Sequence, residues 1–179
     1  EPTFEGMRKD GIAGAGALYF GIMLTESGPK VLEYNCRFGD PETQAVLPLF
    51  EGDLLEALSA AAEGALDRAA FSNGALASAC VVVASGGYPG AYERGFEIAG
   101  LEEAARRGCI VFHAGTALRG GAVVTSGGRV LGVTAVANDL ASAVETAYRG
   151  VEAIRFEGAF SRSDIGKRAL GPGGRKEQR

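Results

Sequence analysis

The chain has 179 residues, 46% hydrophobic and 22% charged, which suits one large domain or two small ones and excludes a disordered polymer. A formal net charge of −4 provides no basic footprint for nucleic acid. No apolar run approaches the roughly 18 residues of a membrane-spanning helix, and no secretory leader is visible, so neither partner is expected.

The 28 glycines follow no period, which leaves turns as their expected use. Residues 1–70 hold five basic and twelve acidic side chains, whereas residues 71–179 hold thirteen and ten. That change of sign predicts two domains, 1–70 and 71–179. Cys36, Cys80 and Cys109 lie in apolar runs without metal or redox spacing, as buried, reduced thiols of a cytoplasmic protein would. The chain opens on Glu1 without Met, which suggests a fragment or a processed product.

Glu1–Ala15 reads as irregular. Ala17–Thr25 and Lys30–Cys36, joined through Glu26-Ser27-Gly28-Pro29, predict a β-hairpin. Leu18, Phe20, Ile22 and Leu24 alternate on one face and read as core. Pro41–Leu49 predicts a short helix with Asp40 as its N-cap and Pro41 as its first residue. Asp53 and Glu56 form the sequence of a capping box before a helix with Leu54, Leu55, Leu58, Ala61 and Ala62 on its apolar face. Gly64–Gly74 is the expected connection.

From Ala75 the pattern turns to strands: Ala77–Ser85, Gly95–Ile98, Cys109–Ala114, Thr116–Arg119, Ala122–Thr125 and Arg129–Val136. Short glycine turns between them predict a small antiparallel sheet or barrel. Leu101–Gly108 predicts a short helix. Leu140, Ala143, Val144, Ala147, Tyr148 and Val151 predict an amphipathic helix capped by Asn138 or Asp139. A last strand is expected at Phe156–Gly158, then a polar closing segment and a frayed tail from Gly171.

The chemistry concentrates in Val31–Gln44. On a strand, Glu33, Asn35 and Arg37 would share one face. A carboxylate and an amide oxygen suit a hard cation such as Mg²⁺, and a guanidinium suits phosphate or carboxylate. A solvated strand face is the plainer reading of the first two, and an ion pair with Asp40 or Glu42 the plainer reading of Arg37. Both a capping role and a ligand role stay open for Asp40.

Arg37-Phe38-Gly39-Asp40-Pro41-Glu42-Thr43-Gln44 resembles the signature of phosphoribosylamine–glycine ligases, also called glycinamide ribonucleotide synthetases. Five other pieces agree in order: Glu5-Gly6-Met7, Gly28–Glu33, Ala84–Gly90, Phe112–Thr116 and Gly127–Leu131. Asp164-Ile165-Gly166-x-Arg168-Ala169 extends the likeness to about residue 170. The resemblance implies an α+β fold. It would comprise the second half of an ATP-grasp core, an antiparallel sheet with helices, and then a small β-rich, barrel-like C-terminal domain.

It also implies ATP and Mg²⁺ (or Mn²⁺) as cofactors and 5-phosphoribosylamine and glycine as substrates. Glu33 and Asn35 match metal-ligand positions. Arg37 matches a catalytic arginine. Arg37, Gly39, Asp40, Pro41 and His113 are the implied substrate contacts, with a purely structural role still open for His113. Gly86–Gly90 is either a phosphate-approaching loop or a plain turn. Arg162, Asp164 and Arg168 either brace the domains or belong to a solvated tail. The N-terminal substrate-binding domain and the mobile lid of such enzymes have no counterpart before Glu1, so the missing N-terminal part is itself an expected partner. A different ATP-grasp carboxylase or ligase, and a non-catalytic scaffold module, are the rival readings.

Overall fold

The computed structural model describes residues 2–66 and 72–171, so part of the expected connection and the tail 172–179 fall outside the described residues. In chain order the elements are α1 (Pro2–Lys9), β1 (Tyr19–Thr25), β2 (Gly28–Asn35), α2 (Glu42–Val46), a 3-10 turn (Leu47–Leu49), β3 (Phe50–Glu51), α3 (Leu54–Ala62), β4 (Ser72–Asn73) and β5 (Ala77–Ala84). They continue with α4 (Leu101–Arg106), β6 (Cys109–His113), β7 (Thr116–Arg119), β8 (Ala122–Thr125), β9 (Arg129–Ala137), α5 (Leu140–Val151), β10 (Phe160–Ser161) and α6 (Lys167–Leu170). They group into two compact units, one of 1–39 with 50–72, the other of 40–49 with 73–179.

In the first unit β1 and β2 form the expected hairpin. Tyr19 faces Asn35 and Gly21 faces Glu33, while Ile22 faces Val31, so Leu32 is the extra residue of a bulge. The irregular start expected for Glu1–Ala15 is instead helical in part. Pro2 opens α1, a position where a missing N–H is harmless. Gly11, at φ 70°, closes it: its N–H reaches the Arg8 carbonyl at 3.2 Å and the Ile12 N–H reaches that of Met7 at 2.8 Å. Phe4 of α1 and Phe20 of β1 lie with ring centroids 6.4 Å apart.

The hairpin face expected to be core is largely open, with Leu24 82% exposed and Ile22 54%. Within the unit, Phe4 of α1 meets the hairpin near Phe20, and the far end of the hairpin stays uncovered. α3 starts where expected, the Asp53 carboxylate accepting from the Leu55 and Glu56 N–H groups at 2.9 and 3.0 Å. Its covered side runs through Leu54, Ala57, Ala60 and Ala61, whereas Leu55 and Leu58 are exposed.

The second unit is built on an antiparallel sheet of order β10-β5-β9-β6, with β7 and β8 as a separate ribbon. Among the described residues β10 and β6 are the edges of this sheet. The run ASACVVVA of β5 pairs along its length with central β9. Val81, Val83, Leu131, Val133 and Ala135 are buried with Ala143 and Ala147 of α5 and Ala104 of α4 in one core. The predicted face of α5 is therefore the buried one. Its cap is Asp139, which accepts from the Ser142 N–H at 2.9 Å.

On the other face of the sheet lies α2. The Ser78 hydroxyl of β5 donates to the Ala45 carbonyl, and a Cβ placed on Gly132 would be 3.6 Å from Gln44 Cγ. The expected strand Gly95–Ile98 is reduced to a bridge between Glu97 and Val124. The last strand is Phe160–Ser161 rather than Phe156–Gly158, because Phe160 and Ser161 pair with Ala84 and Val83 at the sheet edge.

Candidate functional site

The end of β2 presents Glu33 and Asn35. They are two residues apart on a regular stretch and so share a face. Opposite Glu33 stands Gly21, where a Cβ would come within 2.8 Å of Glu33 Cγ, so the glycine gives the glutamate its lane. Glu33 is exposed and Asn35 half-buried.

Arg37 does not continue the strand, which ends at Asn35. The chain bends, and the guanidinium folds back. Arg37 Nη2 donates to Asn35 Oδ1 at 3.2 Å and Nη1 to the Phe38 carbonyl at 2.8 Å. The arginine therefore stays beside the amide by a hydrogen bond rather than by strand alternation. Gly39 is buried.

Asp40 is not the N-cap of α2. Pro41 holds that position and makes no side-chain capping bond. The Asp40 carboxylate is engaged elsewhere: Oδ1 accepts from Gln44 Nε2 and Oδ2 from Arg129 Nη2, each at 2.9 Å. Arg129 Nη1 also donates to the Asp40 carbonyl at 2.9 Å. With both oxygens held by side chains, the carboxylate does not turn back to the helix amides. Below it, the Cys80 thiol is pushed above its ordinary pKa, first by burial and also by the Asp40 charge.

His113 ends β6 as an exposed side chain, its Nδ1 3.1 Å from Thr116 Oγ1. Glu33, Asn35, Arg37 and Gly39 thus belong to the first unit, and Asp40, Pro41 and His113 to the second. Arg129 is the residue that sequence reasoning passed over. It stands inside the quoted Gly127–Leu131 motif, yet its partner lies 89 positions away. The Arg162 guanidinium meets the Asp164 carboxylate through two bonds of 2.8 and 2.6 Å, which hold that carboxyl below its usual range.

Among the described residues no three His, Cys, Asp or Glu side chains gather as a metal site. Glu33 and Asn35 do offer two hard oxygens on one face. By donor chemistry that pair would suit a hard cation such as Mg²⁺, as two of its ligands. The Asn35 oxygen already accepts from Arg37, so a cation there would have to share it with the guanidinium.

Residues 1–43 match the family described as Phosphoribosylglycinamide synthetase, ATP-grasp (A) domain, so that stretch is of the ATP-grasp class. Residues 78–168, about half of the chain, match Phosphoribosylglycinamide synthetase, C domain. The chain belongs to the phosphoribosylglycinamide synthetase family. It is 54% identical over 175 residues to the phosphoribosylamine–glycine ligase of Synechocystis, covering 95% of this chain and 41% of that protein. It is 52% identical over 173 residues to the trifunctional purine biosynthetic protein adenosine-3 of Gallus gallus, covering 95% of this chain and 17% of that one. The crystal structure of the phosphoribosylamine–glycine ligase from Thermotoga maritima superposes with a TM-score of 0.77 at 36% identity, over 90% of this chain and 40% of its own. The chain thus spans about two-fifths or less of the relatives it matches.

Proposed function

We propose that the chain is a C-terminal portion of an ATP-dependent ligase that joins 5-phosphoribosylamine to glycine. In this reading residues 1–70 complete an ATP-grasp domain and residues 71–179 form its small C-terminal domain. The observation that carries it is the Glu33, Asn35 and Arg37 group at the end of β2, inside the stretch that matches an ATP-grasp domain. The reaction belongs to purine biosynthesis, and its setting is the cytoplasm.

Glu33 and Asn35 would hold Mg²⁺ or Mn²⁺. Such an ion neutralises triphosphate charge and holds the phosphates in place. Arg37, fixed by Asn35 and the Phe38 carbonyl, directs its remaining donors at a phosphate or carboxylate oxygen. Asp40 accepts from a substrate amine, with Gly39 and Pro41 shaping the backbone around it, and His113 contributes from the end of β6. In the chemistry, a glycine carboxylate oxygen attacks the γ-phosphorus of ATP and ADP departs. The phosphoribosylamine nitrogen then attacks the glycyl carbonyl carbon, phosphate leaves, and the nitrogen loses a proton.

In this reading the ligands that complete such a site come from an N-terminal part of a longer polypeptide, which the relatives' greater length supports. The isolated 179 residues therefore do not catalyse ligation, whereas a polypeptide of the relatives' length carrying this sequence releases ADP when given ATP, Mg²⁺, glycine and phosphoribosylamine. Robust turnover by the isolated chain, or no ADP from the long one, refutes the proposal.

A further inference from the structure

Three sequence motifs of the second unit converge on one short turn, Gly127-Gly128, and the residue that this turn delivers is Arg129. Ser85, from Ala84–Gly90, donates its hydroxyl to the Gly127 carbonyl at 2.9 Å and its N–H to the Gly128 carbonyl at 2.8 Å. Tyr88, from the same motif, covers Gly128 so closely that a Cβ there would fall 2.2 Å from Tyr88 Cδ2. Gly115, from Phe112–Thr116, accepts at its carbonyl from the Ser126 and Gly127 N–H groups at 2.7 and 3.2 Å. A Cβ on Gly115 would fall 2.6 Å from Gly127 Cα. The Gly115 N–H in turn donates to the Arg129 carbonyl at 2.9 Å.

The turn is therefore held from two sides, and no side chain fits at its contact points. Gly86–Gly90 follows the serine that braces this turn, and its Tyr88 packs on the turn itself. The outcome of this packing is a guanidinium at a fixed place. It makes two parallel donations to Asp40, one to the carbonyl and one to Oδ2, a fork that only arginine supplies. Gln44 takes the other carboxylate oxygen. The pair is half-exposed, with Arg129 40% and Asp40 42% accessible, and exposed ion pairs add little to stability. So elaborate a mounting for a pair of small energetic value points to orientation as its purpose.

We infer that Arg129 is the positioning residue of Asp40, and that Ser85, Tyr88 and Gly115 form the mount that holds it. The inference rests on the proposed function, in which Asp40 accepts from a substrate amine. Through Arg129, strand β9 sets the direction of the free carboxylate lone pairs. Arg129 itself does not touch substrate.

The test is carried out on a polypeptide of the relatives' length carrying this sequence, comparing Arg129→Met, Arg129→Lys, Asp40→Asn and the double variant Asp40→Asn/Arg129→Met. Arg129→Met raises KM for an amine-bearing substrate, glycine or phosphoribosylamine, by about 10- to 100-fold, as removal of a supporting partner typically does. KM for ATP stays within about twofold of the parent, and which amine responds identifies the substrate that Asp40 holds. Arg129→Lys recovers only part of the loss, because an ammonium is a point charge rather than a fork. The double variant is no worse than Asp40→Asn alone, since both changes act on one carboxylate. Melting temperatures of the single variants stay within about 4 °C of the parent.

Equal losses for ATP and amine, full recovery by lysine, or additive effects in the double variant overturn the inference. Glycine titrated calorimetrically, with and without phosphoribosylamine, separates the two levels. A parent protein that binds neither amine removes the proposed function and this inference with it. A parent that binds, with Arg129→Met unaffected, removes the inference alone.

Discussion

Gly150 of α5 lies against Cys109 of β6 so closely that a Cβ on the glycine would sit 2.4 Å from the cysteine sulfur and 2.9 Å from Val133 Cγ1. The thiol itself donates to the Thr146 carbonyl, one turn earlier in the same helix, at 3.3 Å. The helix thus rests directly on the sheet at this point, and the missing side chain is what permits it.

Gly150→Ala separates two opposing effects. Alanine is the better helix former by about 1 kcal/mol, and overpacking a tight core costs about 1–3 kcal/mol. Because the obstacle includes a buried Val133 as well as Cys109, steric loss wins. Chemical denaturation of the variant shows lower stability, and Cys109→Ala in the same chain recovers part of the loss by vacating the nearer contact. An alanine variant more stable than the parent would mean that the helix can lift without cost.

The three thiols differ in access. Cys36 is exposed, Cys80 half-buried and Cys109 buried. Burial is the leading cause that raises the pKa of both Cys80 and Cys109, so less thiolate is present at any given pH. Reaction of the native protein with an aromatic disulfide at pH 8 labels Cys36 first, and the two slower thiols continue to accelerate as pH rises past the ordinary thiol value. Peptide mapping that finds Cys109 modified first would contradict the packing of α5.

Asp139 caps α5, and its carboxyl lies below the usual range because the Ser142 N–H and hydroxyl donate to it. Its folded pKa is depressed, so its stabilisation is fully present above the unfolded value and disappears as pH falls through the folded one. Asp139→Ala lowers the melting temperature at pH 7. The difference from the parent shrinks below about pH 4, near the carboxyl's unperturbed pKa. A gap that stays constant down to pH 2 would show that the charge contributes nothing to the cap.

Glu33→Gln keeps shape and removes charge. In a polypeptide of the relatives' length, it lowers ligase activity by roughly tenfold or more and shifts the Mg²⁺ requirement upward, since a neutral amide is a poorer ligand for a hard cation. Circular dichroism stays at the parent's, because Glu33 is exposed. Identical Mg²⁺ titrations for parent and variant remove Glu33 from the metal site.

Helix α5 was legible to the residue, because its apolar positions repeat at helical spacing and Asp139 stands directly before them. The hairpin was legible because strand alternation and a short glycine turn are local signals. Helix α1 was not: only Phe4 and Met7 mark an apolar side in an otherwise polar segment. Strands β5 to β9 were found one by one, whereas β10 lies beyond the Phe156–Gly158 expected for it and Gly95–Ile98 is only a bridge; the assembly of the strands was not legible, since β5 reaches its partner β9 only after α4 and three further strands. The capping role expected for Asp40 fails for the same reason. Its spacing to Pro41 and Glu42 fits a cap, and nothing nearby in sequence reveals that Arg129, 89 positions on, joins Gln44 in holding its carboxylate. The Glu33 and Asn35 pair emerged correctly as neighbours on one face because both lie within a single strand.

The segment 40–49 packs with 73–179 although it is separated from it in sequence. The second unit is therefore discontinuous along the gene. Anyone recombining such ligases by a single crossover after residue 72 would pair α2 from one parent with the β5 and β9 surface of the other. Asp40 would then meet a foreign Arg129, and Gln44 a foreign Gly132. Chimeras that carry 40–49 together with the downstream block keep these contacts from one parent, and a library built with two crossovers yields more soluble protein than one built with a single cut.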